Sequence, residues 1–318
     1  MHNLPPIVGP LPLTPEWYEA RYTGIFASEA AAACGLSDTL QPLDIYALKR
    51  RLIEPFEGND YTRRGKKAEP LILDEYRERT GAELETGLAM CFCGDPALRF
   101  IGATPDARRK DNPQHLVEAK LCHWKRAASL GQEGSDEIFP DWLAQAQQQI
   151  AVMNADVCDV MVMLDPHSYR LFSCPRNERL IENLIEVETA LWDRILRGDP
   201  PDPLFDKPGA LDSVKRFFGI SGQPITLSEA AIRDWMELDK IKEDIKAWEG
   251  RKAELQARVL HAIGEAPAGR FPNGTRELAR TVVKDSIWTQ TDVDVATKSL
   301  GRVKRAGHVR LTERLVKR

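Results

Sequence analysis

Apolar and polar positions change period several times along the N-terminal part of the chain. From Arg99 to Cys122 it reads RFIGATPDARRKDNPQHLVEAKLC, two extended runs joined by KDNPQ, whose Asp111, Asn112 and Pro113 are turn formers. In the second run a two-residue period sets Val117, Ala119 and Leu121 on one face and Glu118 and Lys120 on the other, so one strand can fill a core and line a cleft. Asp106, on the first run, can reach the same cleft. A helical period takes over in PDWLAQAQQQIAVMN, where Leu143, Ala146, Ile150 and Met153 are expected as the buried stripe, with Trp142, Gln145 and Gln149 together on another face. Upstream, RRGKKAEPLILDEYRERTG predicts a helix in which Glu69 precedes Pro70, whose ring leaves the Lys66 carbonyl without its helical bond. Farther upstream, RYTGIFASEAAAACG predicts a short helix capped by Ser28 and stopped by Gly35, with Arg21 seven residues before the serine.

Four prolines within residues 200 to 208 prevent a continuous helix and place a division there, giving units 1–203 and 204–318. Before the division, strand and helix patterns alternate as in a mixed α/β unit. After it, Ser228 and Glu229 open a long amphipathic segment ending near Gly264. Its stripe of Ala231, Trp235, Leu238, Ile241, Ile245, Trp248, Leu255 and Val259 has a break near Gly250, which predicts one long helix or a helical hairpin with a core-facing stripe. FPNG as a turn, with TVVKDSIW and HVRLTERLV as short strands, completes a small α+β appendage.

Composition changes this picture in three places. A chain of 318 residues with 42% hydrophobic content can bury a sizeable core. No apolar run approaches the roughly 18 residues that span a bilayer, and the start lacks the basic and apolar regions of a leader, so a soluble protein of the cytoplasm, without membrane partners, is expected. Six scattered cysteines suit reduced thiols better than a disulfide framework. The net charge of -4 hides an asymmetry: residues 1–210 carry 23 Lys and Arg against 33 Asp and Glu, and residues 211–318 carry 21 against 15. From Gly301 to Arg318 seven basic residues meet one acid, an excess able to attract a polyanion. Arg302, Lys304, Arg305 and Arg310 there, with Arg108 and Arg109 on the first extended run, are candidate contacts for such a polyanion.

Two hard carboxylates, Asp106 and Glu118, with the Ala119 main-chain carbonyl, make an oxygen-rich set suited to Mg²⁺ or Mn²⁺, and Glu69 is a candidate third carboxylate. Such an ion polarises a phosphodiester and lowers the pKa of a bound water. Lys120 beside it could orient or deprotonate that water, or, while charged, stabilise the developing negative charge. Gln145 can hold a water or phosphate oxygen through its amide. A helix N-terminus at Ser28 with Arg21 nearby is an anion site.

In this order the four segments resemble the YqaJ-like phage recombination exonucleases, the family that includes lambda exonuclease, within the PD-(D/E)XK nuclease superfamily. The resemblance covers roughly residues 17 to 195, from WYEARYTGIFASEAAAACGLS to WLAQAQQQIAVMNADVCDVMVM. It implies a restriction-endonuclease-like α/β core, a central mixed sheet flanked by helices. Asp106 and Glu118 become metal ligands, Lys120 the catalytic lysine, Gln145 and Glu69 further active-site residues, and Arg21 and Ser28 the pair holding a 5′-phosphate. Trp142 stands where the family more often has tyrosine, and the interval from Asp106 to Glu118 is long.

The resemblance further implies a Mg²⁺-dependent exonuclease that digests one strand of linear duplex DNA from its 5′ end and leaves a 3′ overhang for recombination by strand annealing. Its partners would be duplex DNA, a single-strand annealing protein of the RecT or Red-beta kind, and further copies of itself in a ring-shaped trimer, in the cytoplasm of a phage's bacterial host. A Gly-x-x-x-x-Gly-Lys phosphate loop is absent, in keeping with processivity without nucleotide fuel. Three alternatives stay open: a restriction or repair endonuclease on the same core, a relative with an iron-sulfur cluster, and a noncatalytic DNA-binding scaffold.

Overall fold

The computed structural model describes residues 4–55, 58–219, 223–272, 276–283, 286–288, 303–305 and 308–315. The chain divides into two units, Met1–Ser221 and Gly222–Arg318. The strands of the first are β1 (Ile7–Val8), β2 (Ile25–Phe26), β3 (Leu84–Thr86), β4 (Cys91–Phe92), β5 (Ile101–Ala103), β6 (Ala107–Arg109), β7 (His115–Leu121), β8 (Val157–Asp165) and β9 (Ser168–Pro175). Its helices are α1 (Pro15–Ala20), α2 (Ala27–Ala33), α3 (Pro42–Lys49), α4 (Asp60–Thr80), α5 (Trp124–Ala127), α6 (Pro140–Met153), α7 (Glu178–Arg197) and α8 (Ala210–Phe217).

The expected mixed α/β core is present. A five-stranded sheet in the order β3-β6-β7-β8-β9 is antiparallel except for the parallel pair β7 and β8, and a smaller sheet runs β1-β4-β5-β2. A parallel pair needs a crossover connection, and the segment carrying α5 and α6 supplies it. On one face of the large sheet, Ile72, Leu73 and Tyr76 of α4 pack on Ala107, Val117 and Met161. On the other, Trp142, Ala146 and Ile150 of α6 pack on Leu116, Val160 and Phe172. The two-residue period of β7 survives intact, since Val117, Ala119 and Leu121 join the α4 side.

Four expectations are corrected. The run RFIGATPDARR is not one strand: β5 belongs to the small sheet and β6 to the large one. Pro105, with no N–H to give to a ladder, stands at the break, and Asp106 follows it just before β6. Ser28 is not the cap of α2; Phe26 occupies that position, and Glu29 Oε2 accepts its N–H at 2.9 Å. The stripe of α6 is wider than expected. Trp142 and Gln147 to Gln149 are buried while Leu143 and Met153 are only half-buried, because α6 packs on both sheets as well as α2 and α7.

The fourth correction concerns the boundary, which lies at 221 rather than 203. The proline-rich segment is strapped to the first unit: Gln41 Nε2 donates to the carbonyls of Leu204 (3.1 Å) and Pro208 (3.2 Å), and Leu204 N–H donates to Gln41 Oε1 at 2.9 Å. Arg216 of α8 makes a two-pronged ion pair with the buried Asp44, at 2.8 and 3.0 Å. Breaks in helical pattern mark irregular backbone, and irregular backbone can pack as firmly as a helix.

The second unit opens with α9 (Glu229–Ile263), one unbroken helix of 35 residues in which Ser228 Oγ accepts the Ala231 N–H at 3.2 Å. A hairpin at Gly250 is excluded, and no residue of α9 is buried, so the apolar stripe is not core-facing within this unit. Beyond it, β10 (Ala268–Arg270), β11 (Arg276–Val283) and β14 (His308–Leu315) form an antiparallel sheet, and β12 (Ser286–Trp288) pairs with β13 (Val303–Arg305). TVVKDSIW therefore spans parts of two strands. Arg302 lies outside the described residues; Lys304 and Arg305 fall on β13 and Arg310 on β14, with side chains outside the described set. Among the described residues no helix is long and apolar enough to cross a membrane.

Glu188 of α7 is fully buried, and among the described residues neither carboxylate oxygen has a hydrogen-bond partner. Burial, reinforced by the Glu29 charge, raises its pKa well above the usual carboxylate range. Such a group binds more protons folded than unfolded once pH exceeds its unfolded pKa, so its linkage lowers stability as pH rises toward the folded value, by up to about 1.4 kcal/mol per pH unit. Glu188→Gln, which keeps the shape of the neutral acid, is expected to stabilise the chain at pH 7 and to lose that advantage toward pH 4.5. Urea unfolding of both proteins across this range measures the difference.

Candidate active site

Strand β7 presents Glu118 and Lys120 toward α6. Lys120 Nζ donates to Glu118 Oε1 and to Gln145 Oε1, both at 2.8 Å, while Gln145 Nε2 donates to Glu118 Oε1 at 2.6 Å. Gln149, one turn on and fully buried, donates from Nε2 to Glu118 Oε2 at 2.7 Å. The Cys158 thiol donates to Gln149 Oε1 at 3.6 Å and fixes which way that amide points. Glu118 is thus oriented by three donors from two elements. Asp106 arrives from the kink before β6, and its Oδ2 accepts the Ala119 N–H at 2.9 Å.

The carboxylates are close enough to feel one another. Burial, then the charges of Glu118 and Glu69, push the Asp106 pKa well above the usual range, and the Ala119 N–H and Lys120 only partly offset this. Glu69 is raised as well, by burial and by Glu118. Burial by itself would lower Lys120, but the charge and hydrogen bond of Glu118, with help from Asp106 and Asp141, hold it above the ordinary lysine value. In this arrangement Lys120 is held as a hydrogen-bond donor to Glu118 and Gln145.

An excess of carboxylate over ammonium in a buried cleft suits a hard divalent cation. Among the described residues, no three His, Cys, Asp or Glu side chains gather in a metal-holding arrangement. Asp106 and Glu118 therefore offer two carboxylates, with Glu69 coupled to them through charge. Two suffice for Mg²⁺, which retains several of its own waters.

A second cluster surrounds Arg21. Its Nη2 lies 3.3 Å from Ser28 Oγ and donates to Glu29 Oε1 at 2.7 Å. Lys49, its side chain entirely buried, donates to Glu29 Oε2 at 2.7 Å and to the Arg21 carbonyl at 2.6 Å. Burial would raise the Glu29 pKa, yet Lys49 and Arg21 together hold it below the usual range. Lys49 is itself lowered, by burial and by the Arg21 charge, with Glu29 opposing. The Glu29 shift reflects two cations sharing one carboxylate, which leaves an excess positive charge, whereas the Lys49 shift comes first from burial. The aromatic rings of Trp17 and Phe26 lie 5.2 and 5.0 Å from the Arg21 guanidinium. Gly24 permits the close approach of this segment to β5, since a Cβ there would fall 2.2 Å from the Phe100 carbonyl oxygen.

Helix α6 serves both clusters. Gln145 and Gln149 hold Glu118, while the intervening Gln148 donates to the carbonyls of Ile25 (3.0 Å) and Gly102 (3.2 Å), pinning β2 and β5. Lys49 and Glu29 were not singled out from sequence, and Gln149 was placed on the face of Gln145 without a role of its own. Gln149 carried a signal, its four-residue spacing from Gln145; Lys49 carried none, because its partner lies twenty residues away. Arg108 and Arg109, the candidate DNA contacts of the first run, each have an acidic partner. They pair with Glu85 at 2.7 Å and with Asp111 at 2.7 and 3.0 Å.

Residues 16–156 match the family model of the YqaJ-like viral recombinase domain. A search of curated proteins finds no match. Among solved structures, the chain is similar to an alkaline exonuclease from Laribacter hongkongensis, at 22% identity over 58% of this chain and 94% of that one, with a TM-score of 0.48. It is also similar to a phage-related exonuclease from Haemophilus somnus 129PT, at 13% identity over 55% and 96%, with a TM-score of 0.43. The matched span contains Arg21, Ser28, Glu69, Asp106, Glu118, Lys120 and Gln145, and this part of the chain, residues 16–156, is similar to the YqaJ-like viral recombinase domain.

Proposed function

We propose that this protein is a Mg²⁺-dependent deoxyribonuclease that degrades the 5′-ended strand of linear duplex DNA and leaves 3′ overhangs for recombination by annealing. The observation that carries this reading is the meeting of Asp106, Glu118, Lys120 and Gln145, from the kink before β6, from β7 and from α6, in one buried, carboxylate-rich cleft.

Asp106, Glu118 and the Ala119 carbonyl would hold the metal, with Glu69 adjusting the charge around it. The bound ion would polarise the scissile phosphodiester and acidify a water. The chain's own groups do the rest. Lys120, pinned between Glu118 and Gln145, places a fixed ammonium where negative charge develops on phosphorus oxygens. Gln145, bonded to both Glu118 and Lys120, keeps them in register and offers its amide to a water or phosphate oxygen. Gln149 leaves Glu118 no freedom to turn away.

Arg21 and Ser28 would receive a 5′-phosphate, attracted by the positive charge left over at Glu29. Duplex labelled at either 5′ or 3′ ends tests the polarity: release of 5′ label first is expected. Efficient cutting of covalently closed circles would instead favour an endonuclease. Arg21→Ala is expected to lower the rate on 5′-phosphorylated ends about tenfold or more, the worth of one charge-assisted hydrogen bond, and to leave 5′-hydroxyl ends nearly unchanged. Equal losses on both ends would count against phosphate recognition there. An annealing protein, a ring-shaped trimer and a bacterial host's cytoplasm remain part of this proposal through the family resemblance.

A further inference from the structure

We propose that α9 pairs with the α9 of a second copy of this chain as an antiparallel two-stranded coiled coil. Apolar side chains recur along α9 in two positions of a seven-residue repeat: Leu238, Ile245 and, beyond Lys252, Val259 in the first, Ile241, Trp248 and Leu255 in the second. This is the a and d pattern of a coiled-coil seam. Gly250, which looked like a break, falls at the outermost position of its repeat and leaves the seam intact. The seam is exposed: Trp248 is 73% and Ile245 53% accessible, and α9 buries none of its residues. A helix of 35 residues with such a stripe has an apolar face far larger than isolated surface residues require.

The charges that flank the seam select the occupant and its direction. In an antiparallel pair, flanking positions meet their own kind on the other helix. Centred between Ile245 and Trp248, this pairing sets Glu237 against Arg258, Asp244 against Arg251 and Lys242 against Glu249 of the second copy, each contact occurring twice by symmetry. Leu238 then faces Leu255, and Ile245 faces Trp248. All the charged flanking contacts in this register are opposite in sign. Sliding by one repeat in one direction sets Glu249 against Glu249 and Arg251 against Arg251; in the other, Lys242 meets Lys242 and Asp244 meets Asp244.

The parallel arrangement is worse. It stacks Asp234 on Asp234 and Lys252 on Lys252 within the seam and sets Asp244 beside Glu249. In the antiparallel register Lys252 faces Ile241, where its methylene stem covers the apolar side chain and its ammonium emerges to water. Within the described residues Arg251 and Arg258 share Glu254, while Glu237, Asp244 and Glu249 have no ion-pair partner. Duplex DNA does not fit this face, since α9 carries eight acids against seven basic residues with no basic stripe. The pairing does not depend on the nuclease reading; a two-copy pair cannot close within a ring-shaped trimer, so in such an assembly it joins one ring to another.

Sedimentation of the full chain tests it. Asp244→Arg or Arg251→Asp alone turns two attractive contacts into two repulsive ones and is expected to weaken self-association about tenfold. Asp244→Arg combined with Arg251→Asp restores the attraction and is expected to return association to within about twofold of wild type. These exposed positions leave folding intact, which far-ultraviolet circular dichroism checks. Leu238→Cys with Leu255→Cys is expected to give a thiol-sensitive covalent dimer under mild oxidation that neither single variant gives. Association unchanged by either charge reversal, or not restored by the combination, overturns the pairing, as does a monomeric wild type. Cross-linking by Leu238→Cys alone would show parallel helices and overturn it too.

Discussion

Asp106→Ala and Lys120→Ala are each expected to slow digestion of 5′-phosphorylated linear duplex in Mg²⁺ by about a thousandfold, the range in which positioned acid, base and charge-stabilising groups act. The two losses have different origins. Asp106→Ala removes one of two proposed metal carboxylates, so its residual activity should respond to raised Mg²⁺ or Mn²⁺. Lys120→Ala leaves the carboxylates in place and removes the ammonium held at 2.8 Å from Glu118 and Gln145, so added metal should not help. Stability separates function from folding. Asp106 is held in an environment that raises its pKa through burial and two neighbouring carboxylates, so Asp106→Ala should unfold at the same or higher urea concentration than wild type at pH 7. Equal digestion by wild type and both variants would exclude this cleft as the catalytic centre.

The second large effect is expected in stability. Glu29→Ala strands Lys49, whose side chain is wholly buried, beside Arg21 with no counter-charge, and should cost about 3 to 5 kcal/mol in urea unfolding. Arg21→Ala should cost much less, because Glu29 keeps Lys49 and Arg21 is partly exposed. The sign with pH follows from Glu29, whose folded pKa is lowered by its two cations. Its contribution is fully present above the unfolded carboxylate pKa and disappears as pH falls through the lower folded value, so wild type and Glu29→Gln should converge in stability at acid pH. A constant difference down to the lowest pH at which the chain folds would show that packing, rather than charge, makes Glu29 necessary.

These two clusters differ in how far the sequence reveals them. Glu118 and Lys120 were legible as a pair because alternation along a strand is a local geometric fact, and β7 keeps it. Asp106 was legible by type and proximity, but its position at a kink between two sheets was not, since nothing local says which sheet each half of RFIGATPDARR will join. Gln145 was legible from the helical period, while the burial of Trp142 followed from α6 packing on both sheets. Arg21 and Ser28 were found together, although the helix start falls at Phe26 and the group that binds Arg21 most closely is Glu29. Arg108 and Arg109, expected as candidate DNA contacts, have acidic neighbours, Glu85 and Asp111, that the sequence reading did not assign to them.

By itself, then, the sequence determined the periodicities: which face of β7 is polar, where α4 and α6 run, that α9 is amphipathic, and the order of residues that marks the family. Each depends on a few neighbouring residues and on backbone geometry that repeats within one element. Tertiary structure alone decided which side chains share a proton, a charge or a buried volume. It brought Lys49 to Glu29 and Gln145 and Gln149 to Glu118, left Glu188 without a hydrogen-bond partner among the described residues, and carried the first unit past its prolines to Ser221. Those outcomes turn on desolvation and on contacts between distant segments, for which spacing along the chain holds no information.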